Sequence, residues 1–243
     1  MVKNYGHVRA LQGIHFEVLP GEVAALVGDN GAGKSTLIKI LSGTLQPDGG
    51  EIRFEGRPVM IDTPIEARHL GLETVYQDLA LAEDLDPAAN LFLGREVFRA
   101  GLLGRLGFLD KKAMRARAEE AFASLGIGLQ DTGVEVAMLS GGQRQGVAVS
   151  RAVTWASRVI FMDEPTAALG VIQAQKVLDL IRRLREAGMS VVLISHNLPQ
   201  VFEVADRIHV LRLGKRVAVM DPGEVNMDDV VRAMTGAREE EGT

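Results

Sequence analysis

Apolar residues recur along this chain with two different periods, and the alternation between them predicts an α/β architecture. Val8 to Val18 reads as extended, Pro20-Gly21 turns the chain, and Glu22 to Val27 predicts a strand buried on both faces. A glycine-rich stretch then leads into a helix through Leu37, Ile40 and Leu41. Glu51 to Phe54 and Leu72 to Tyr76 predict two more strands, the second leading to Gln77. From about residue 78 to 157 the texture changes. Ala, Leu, Arg and Glu dominate, and Ala113 to Leu125 sets Met114, Ala118, Ala121 and Leu125 on one helical face, so a helical insertion is predicted within a single domain spanning 1–243. Strand and helix then alternate again. Arg158 to Met162 and Ser190 to Ile194 predict buried strands. Between them Gln173 to Ala187 predicts a helix that turns Val177, Leu180, Ile181 and Leu184 inward. Ile208 to Leu213 and Arg216 to Met220 flank Gly214-Lys215, the pattern of a two-residue hairpin. Strands apolar on both faces and separated by helices imply a mostly parallel sheet covered on both sides. The charged tail from Arg238 to Thr243 predicts a frayed end.

Two segments of this pattern carry chemistry. Gly28-Asp29-Asn30-Gly31-Ala32-Gly33-Lys34-Ser35-Thr36 lies between a predicted strand and a predicted helix, the context a phosphate-binding loop requires. Glycines allow consecutive backbone N–H groups to converge on a phosphate, and the helix N-terminus adds partial positive charge. Lys34 reaches the β- and γ-phosphates in this reading, Ser35 ligates Mg²⁺, and Thr36 assists at the α-phosphate. The second segment, Val159-Ile160-Phe161-Met162-Asp163-Glu164, predicts a buried strand that delivers two carboxylates at the sheet edge where ligands of open α/β folds bind. Asp163 is the expected Mg²⁺ partner. Glu164 is the expected general base on the attacking water, a role worth about 10²–10⁴-fold.

Composition narrows the setting. The 243 residues are 47% hydrophobic, enough for a large core, and carry 27 basic against 32 acidic side chains. A net charge of −5 does not suggest a nucleic-acid surface, and the lack of cysteine excludes disulfides and thiolate metal sites. The longest run without Asp, Glu, Lys or Arg, Ala187 to Phe202, contains Ser195, His196, Asn197, Pro199 and Gln200 and does not read as a membrane span. Glu17 breaks the first apolar stretch, so no leader is expected, and any membrane contact is expected to come through a partner. Seven basic residues against two acidic fall between Arg95 and Arg117, which reads as a solvated helix face, with a face toward the membrane or the permease as the alternative.

Leu139-Ser140-Gly141-Gly142-Gln143, running into Arg144-Gln145, resembles the signature of ABC ATPases. Ser140 also has the sequence of an N-cap for a helix beginning near Gly142, but capping alone leaves Gly141, Gly142 and Gln143 unexplained. With the phosphate loop and the acid-ended strand, the resemblance runs from about Lys3 to Gly236. It implies a P-loop NTPase cassette with a mostly parallel sheet core, an N-terminal antiparallel β part and an inserted α-helical subdomain. ATP and Mg²⁺ are the implied cofactors. The nucleotide contacts would be Gly28, Asn30, Gly31, Gly33, Lys34, Ser35 and Thr36 of one subunit and Ser140, Gly141, Gly142 and Gln143 of the other. Tyr5 resembles the aromatic that stacks on adenine. Gln77 resembles the glutamine that touches Mg²⁺ and senses a permease, and His196 resembles the histidine that bonds the γ-phosphate. Catalytic roles thus fall to Glu164, His196, Lys34 and Gln77, and metal contacts to Ser35, Gln77 and Asp163.

One departure stands out. Where the family writes Ser-Ala-Leu-Asp, this chain has Ala167-Ala168-Leu169-Gly170, and Gly170 cannot make the contact an aspartate makes across a dimer. Only four residues precede Tyr5, so the first strand is expected to be clipped relative to relatives. Asp78 to Leu85, Asn90 to Glu96, and Ser195-His196-Asn197 with the residues after it look like the monosaccharide importers of the ribose, xylose and fructose branch. That resemblance implies a homodimer beneath a transmembrane permease, at the cytoplasmic face of the inner membrane, indirectly served by a periplasmic sugar-binding protein. A soluble ABC ATPase, or a cassette for lipids, lipoproteins or amino acids, is the alternative.

Overall fold

Val23 to Val27 and Ser190 to Ile194 are buried at every position, a pattern that only a strand covered on both faces can satisfy. The computed structural model describes residues 1–129, 131–167 and 169–237. In chain order the elements begin with β1 (Val2–Tyr5), β2 (Val8–Gln12), β3 (Val23–Val27), α1 (Lys34–Leu41), β4 (Ile52–Phe54), β5 (Arg57–Val59), α2 (Pro64–His69) and β6 (Leu72–Val75). Next come α3 (Pro87–Phe92), α4 (Leu102–Arg105), α5 (Lys111–Ser124) and α6 (Gly141–Trp155). The chain continues with β7 (Val159–Asp163), α7 (Val171–Glu186), β8 (Ser190–Ile194), α8 (Leu198–Val204), β9 (Arg207–Arg212), β10 (Lys215–Met220) and α9 (Met227–Thr235).

These elements divide into two compact units. The first comprises Met1–Thr74, Ala156–Glu164 and the chain from Ile181 onward. Its six-stranded sheet runs in the order β10-β9-β3-β8-β7-β6, with β9, β3, β8 and β7 mutually parallel and β10 antiparallel to β9. Register aligns Leu26 of β3 with Ile194 of β8, and Ile194 with Asp163 of β7. The residues that follow these three strands therefore emerge at one edge. Two antiparallel ribbons, β1 with β2 and β4 with β5, complete the β structure. One side of the core gathers Leu26, Leu37, Ile40, Phe161, Val192 and Ile194. The other gathers Ala25, Val27, Val201, Ile208, Val210 and Val230.

The second unit comprises Val75–Trp155 and Pro165–Leu180. It is helical, with α3, α5 and α6 packed around Leu91, Phe92, Met114, Phe122 and Val147. Asn90 is fully buried there; its carboxamide accepts from the Ala82 N–H and donates to the carbonyls of Ala82, Leu85 and Asp86, closing the loop before α3.

Several expectations are corrected. The stretch Val8 to Val18 is regular strand only to Gln12, because Gly13 turns the chain at φ 83. The opening residues form β1, which the apolar pattern does not reveal, and β5 and α2 were likewise not predicted. The hairpin turn is Leu213-Gly214, with φ 47 and 76, and Lys215 already pairs with Arg212. Two consecutive positive φ values are what a two-residue hairpin demands, and here the first falls on a leucine, which composition does not mark. The frayed tail expected from Arg238 onward lies outside the described residues, as does Ala168.

Candidate nucleotide site

The loop from Gly28 to Gly33 is shaped by its glycines. Gly28, Gly31 and Gly33 have φ of 152, 80 and 105. A Cβ at position 28 would collide with the Leu211 carbonyl oxygen, and one at 33 would come within 2.8 Å of the Ala10 carbonyl oxygen. At both positions the backbone needs glycine twice over, for conformation and for space. Gly33 is the N-cap of α1 and offers no side chain to the helix, and the first turn has no acidic residue. Its leading N–H groups are thus left for an anion. Lys34 lies across the loop, donating to the carbonyls of Gly28 at 2.5 Å and Asp29 at 3.0 Å. Burial lowers its pKa, and Glu164, Asp163 and Asp29 oppose that shift.

β7 brings two carboxylates to the same edge. Asp163 is buried, and desolvation raises its pKa against the hydrogen bond from the Ser35 hydroxyl and the positive charge of Lys34. A buried carboxylate and a hydroxyl side by side form a hard-oxygen pair that suits Mg²⁺, which keeps most of its shell for water and phosphate. Among the described residues there is no group of three or more His, Cys, Asp or Glu that could hold a metal ion. Glu164 takes φ 51, its N–H donating to the Ile194 carbonyl at 2.9 Å, so its backbone is tied to the end of β8. Its Oε1 lies 2.8 Å from Nδ1 of His196, which stands exposed just beyond β8. Tyr5, at the end of β1, leaves about half its surface open, with the Lys3 ammonium 6.0 Å from the ring centroid.

The first unit therefore brings together the loop, Asp163, Glu164 and His196, and it also carries Tyr5 on β1. The second unit carries Gln77 and the segment 140–143. Gln77 lies just after β6, and the two residues that follow Asp78, Leu79 and Ala80, have φ 60 and 46. Arg151 of α6 donates to both their carbonyls, at 3.1 and 2.8 Å. Its part in holding this loop was not anticipated, since no spacing connects positions 71 apart. Gln143 N–H donates to Ser140 Oγ at 3.3 Å, and the Ser140 N–H donates to Gln143 Oε1 at 3.0 Å. This reciprocal capping box explains Gln143 as well as Ser140, contrary to the expectation that capping accounts for the serine alone. Gly141 and Gly142 remain without such an account. In the same unit a cavity of about 410 Å³ is lined by Ser140, Gln143, Gln173 and Lys176 together with apolar residues such as Leu125, Ile127 and Val177.

A strand, a glycine loop with an uncapped helix behind it, and a neighbouring strand ending in acid define the phosphate-binding class of nucleotide folds. The sequence matches the ABC transporter family over residues 11–167. It is 52% identical to the fructose import ATP-binding protein FrcA of Rhizobium meliloti, covering 98% of this chain and 93% of that protein. Identity is 49% with the xylose/arabinose import ATP-binding protein XylG of Sulfolobus acidocaldarius, over 96% and 90% of the two chains. It is 45% with a ribose import ATP-binding protein, RbsA 1 of Rubrobacter xylanophilus, where 99% of this chain covers 47% of the relative. Among solved structures, an ATP-binding cassette of an ABC transporter superposes with a TM-score of 0.79 at 27% identity, over 96% of this chain and 95% of that one. A dimeric cassette in a post-hydrolysis state with ADP and phosphate shares the fold at TM-score 0.77 and 24% identity, over 91% and 95%. The chain belongs to the ABC transporter ATP-binding family.

Proposed function

We propose that this chain is the ATP-hydrolysing subunit of a monosaccharide importer, working as a homodimer on the cytoplasmic face of a membrane permease that a periplasmic sugar-binding protein supplies. The observation that carries the reading is the convergence at one sheet edge of the glycine loop with Lys34, the Ser35–Asp163 pair, and Glu164 against His196. The near full-length similarity to sugar import ATP-binding proteins supports the substrate class.

In this reading the backbone N–H groups of residues 31–36 and the Lys34 ammonium bind the phosphates of ATP. Ser35, Asp163 and Gln77 would hold Mg²⁺, which would supply positive charge against that of the phosphates. Tyr5 stacks on the adenine. Glu164 takes a proton from the attacking water, and His196, already within hydrogen-bond distance of it, orients that carboxylate and meets the γ-phosphate. Ser140 to Gln143 of the second subunit closes the site, so hydrolysis requires two copies, and Gln77 passes the closure to the permease.

Phosphate release by the purified protein tests both halves of the site. Glu164→Gln is expected to retain nucleotide binding while turnover falls by about 10²–10⁴-fold. Ser140→Arg is expected to bind nucleotide normally and lose turnover, because the serine acts in its partner's site. Equal rates in wild type and Glu164→Gln, or hydrolysis at a rate independent of protein concentration by a strict monomer, would overturn the assignment.

A further inference from the structure

The segment from Arg95 to Arg117 is where local charge departs furthest from that of the whole molecule: seven basic side chains and two acidic ones in a chain of net charge −5. A solvated helix face was the expectation. Between Val97 and Asp110 the structure builds something else. The Arg99 N–H donates to the Phe108 carbonyl at 2.9 Å and the Asp110 N–H to the Val97 carbonyl at 2.7 Å, so two short arms pair as a neck, with Phe98 bridged to Leu109. The single turn of α4 forms the tip. Gly101 and Gly107, at φ 73 and 84, let the chain enter and leave that turn, and a Cβ at Gly104 would collide with the Arg99 carbonyl oxygen. Three glycines thus fix the tip in one shape, rather than leaving a loose connection.

That shape turns apolar groups outward. Phe98, Leu102, Leu103, Leu106 and Phe108 are all exposed, Leu102 at 72% and Leu106 at 65%. Single exposed leucines are ordinary, but five exposed large apolar side chains within residues 98–108 mark a contact surface. Around it Arg99, Arg105, Lys111, Lys112 and Arg117 are exposed and make no ion pair among the described residues.

We propose that the tip at 98–108 is a lipid contact that enters the headgroup region of an anionic bilayer, with the surrounding basic side chains on the phosphates. An apolar tip collared by Arg and Lys has the chemistry of an interfacial anchor, where buried apolar area and attraction to anionic lipid act together. The tip is a single helical turn on a paired neck, and that neck has already used the N–H groups of Arg99 and Asp110. A fluid headgroup layer covers such a surface without matching its shape, whereas a folded partner would need a complementary pocket. Charge also sets the orientation: an acidic protein is repelled by an anionic surface everywhere except where its basic residues gather. The contact departs from the expectation that any membrane contact comes through a partner. It does not depend on the transport assignment, because it rests on this tip alone.

Vesicle flotation with the purified full chain and no permease tests the proposal. Wild type is expected to float with phosphatidylcholine vesicles containing about 30 mol% phosphatidylglycerol, to stay behind with pure phosphatidylcholine, and to be released by about 0.5 M salt. The double variants Leu102→Ser/Leu106→Ser and Arg99→Glu/Arg105→Glu are each expected to bind about tenfold more weakly, while nucleotide binding, which confirms an intact fold, is unchanged. Three results would overturn the proposal: no flotation of wild type, binding that both variants retain in full, or binding that appears only when a reconstituted permease is present and is lost with the leucines. The last would assign the tip to a protein partner instead.

Discussion

Glu164 holds a full side chain at φ 51, a left-handed conformation that costs a non-glycine residue roughly 1–2 kcal/mol. The bond from its N–H to the Ile194 carbonyl holds it there and aims the carboxylate at His196. Strain retained at a residue with this chemistry fits a positioned base. The loop glycines are not equivalent in the same sense. Gly28 faces the Leu211 carbonyl, whereas Gly31 has nothing within 4 Å of a Cβ position. Gly28→Ala is therefore expected to destabilise the protein by about 2 kcal/mol more than Gly31→Ala, and urea unfolding of the two variants measures the difference. Equal losses would mean that the contact with Leu211 is not limiting. At this scale the residue types were legible, because phosphate chemistry demands Lys34, Ser35, Asp163 and Glu164 by kind and spacing. The backbone state of Glu164 and the back-bond from Gln143 were not, since each depends on where a neighbouring segment packs.

α6 both opens with the signature residues and, through Arg151, holds the carbonyls of Leu79 and Ala80 beside Gln77. Two left-handed residues in succession, with their N–H groups on the Tyr76 and Asp78 carbonyls, offer both their own carbonyls to one guanidinium, so the loop has a mechanical tie to that helix. Charge-assisted bonds of this kind contribute about 1.5–3 kcal/mol. Arg151→Met is expected to leave the basal ATPase rate of the purified chain within about twofold, while stimulation by the reconstituted permease falls by about tenfold. A parallel loss of both rates would show that the loop serves catalysis rather than coupling. The long periodic helices and the buried strands were legible from apolar spacing. β1, β5 and α2 were not, because they are short and their polar residues, Lys3 and Asn4, Arg57, and Glu66 and Arg68, interrupt the apolar pattern that marks β4 and β6. The hairpin was displaced by one residue for a related reason: Leu213 occupies a turn position that composition assigns to a strand.

The parallel order β9-β3-β8-β7 makes the sheet a meeting place of segments far apart in sequence, and it buries one group that no motif announces. His209 is wholly enclosed on β9 against the Phe16 ring, with neither ring nitrogen hydrogen-bonded. Desolvation first, then Arg207 and Arg216, lowers its pKa to about 4, with His15 acting in the same direction and Glu17 against it. The unfolded chain binds this proton near the ordinary value of 6.5 and the folded chain only near 4. Stability is thus whole above pH 6.5 and declines as pH falls toward 4, by about 3 kcal/mol in all. His209→Leu is expected to flatten this decline when urea unfolding is compared at about pH 7.5 and about pH 5; an unchanged decline would place the acid sensitivity elsewhere. Gly170, ahead of α7, has only the flexible Gln173 side chain close to a Cβ at its position.

The tip of the β9–β10 turn is bound to the glycine loop by the Gly214 N–H on the Ala32 carbonyl, and to β2 by the Gln12 N–H on the Gly214 carbonyl, while Leu211 presses on Gly28. During synthesis the loop residues leave the ribosome well before β9 and β10, yet their final shape waits for a strand made almost two hundred residues later. A nascent chain would therefore acquire its grip on nucleotide only after that hairpin has been made.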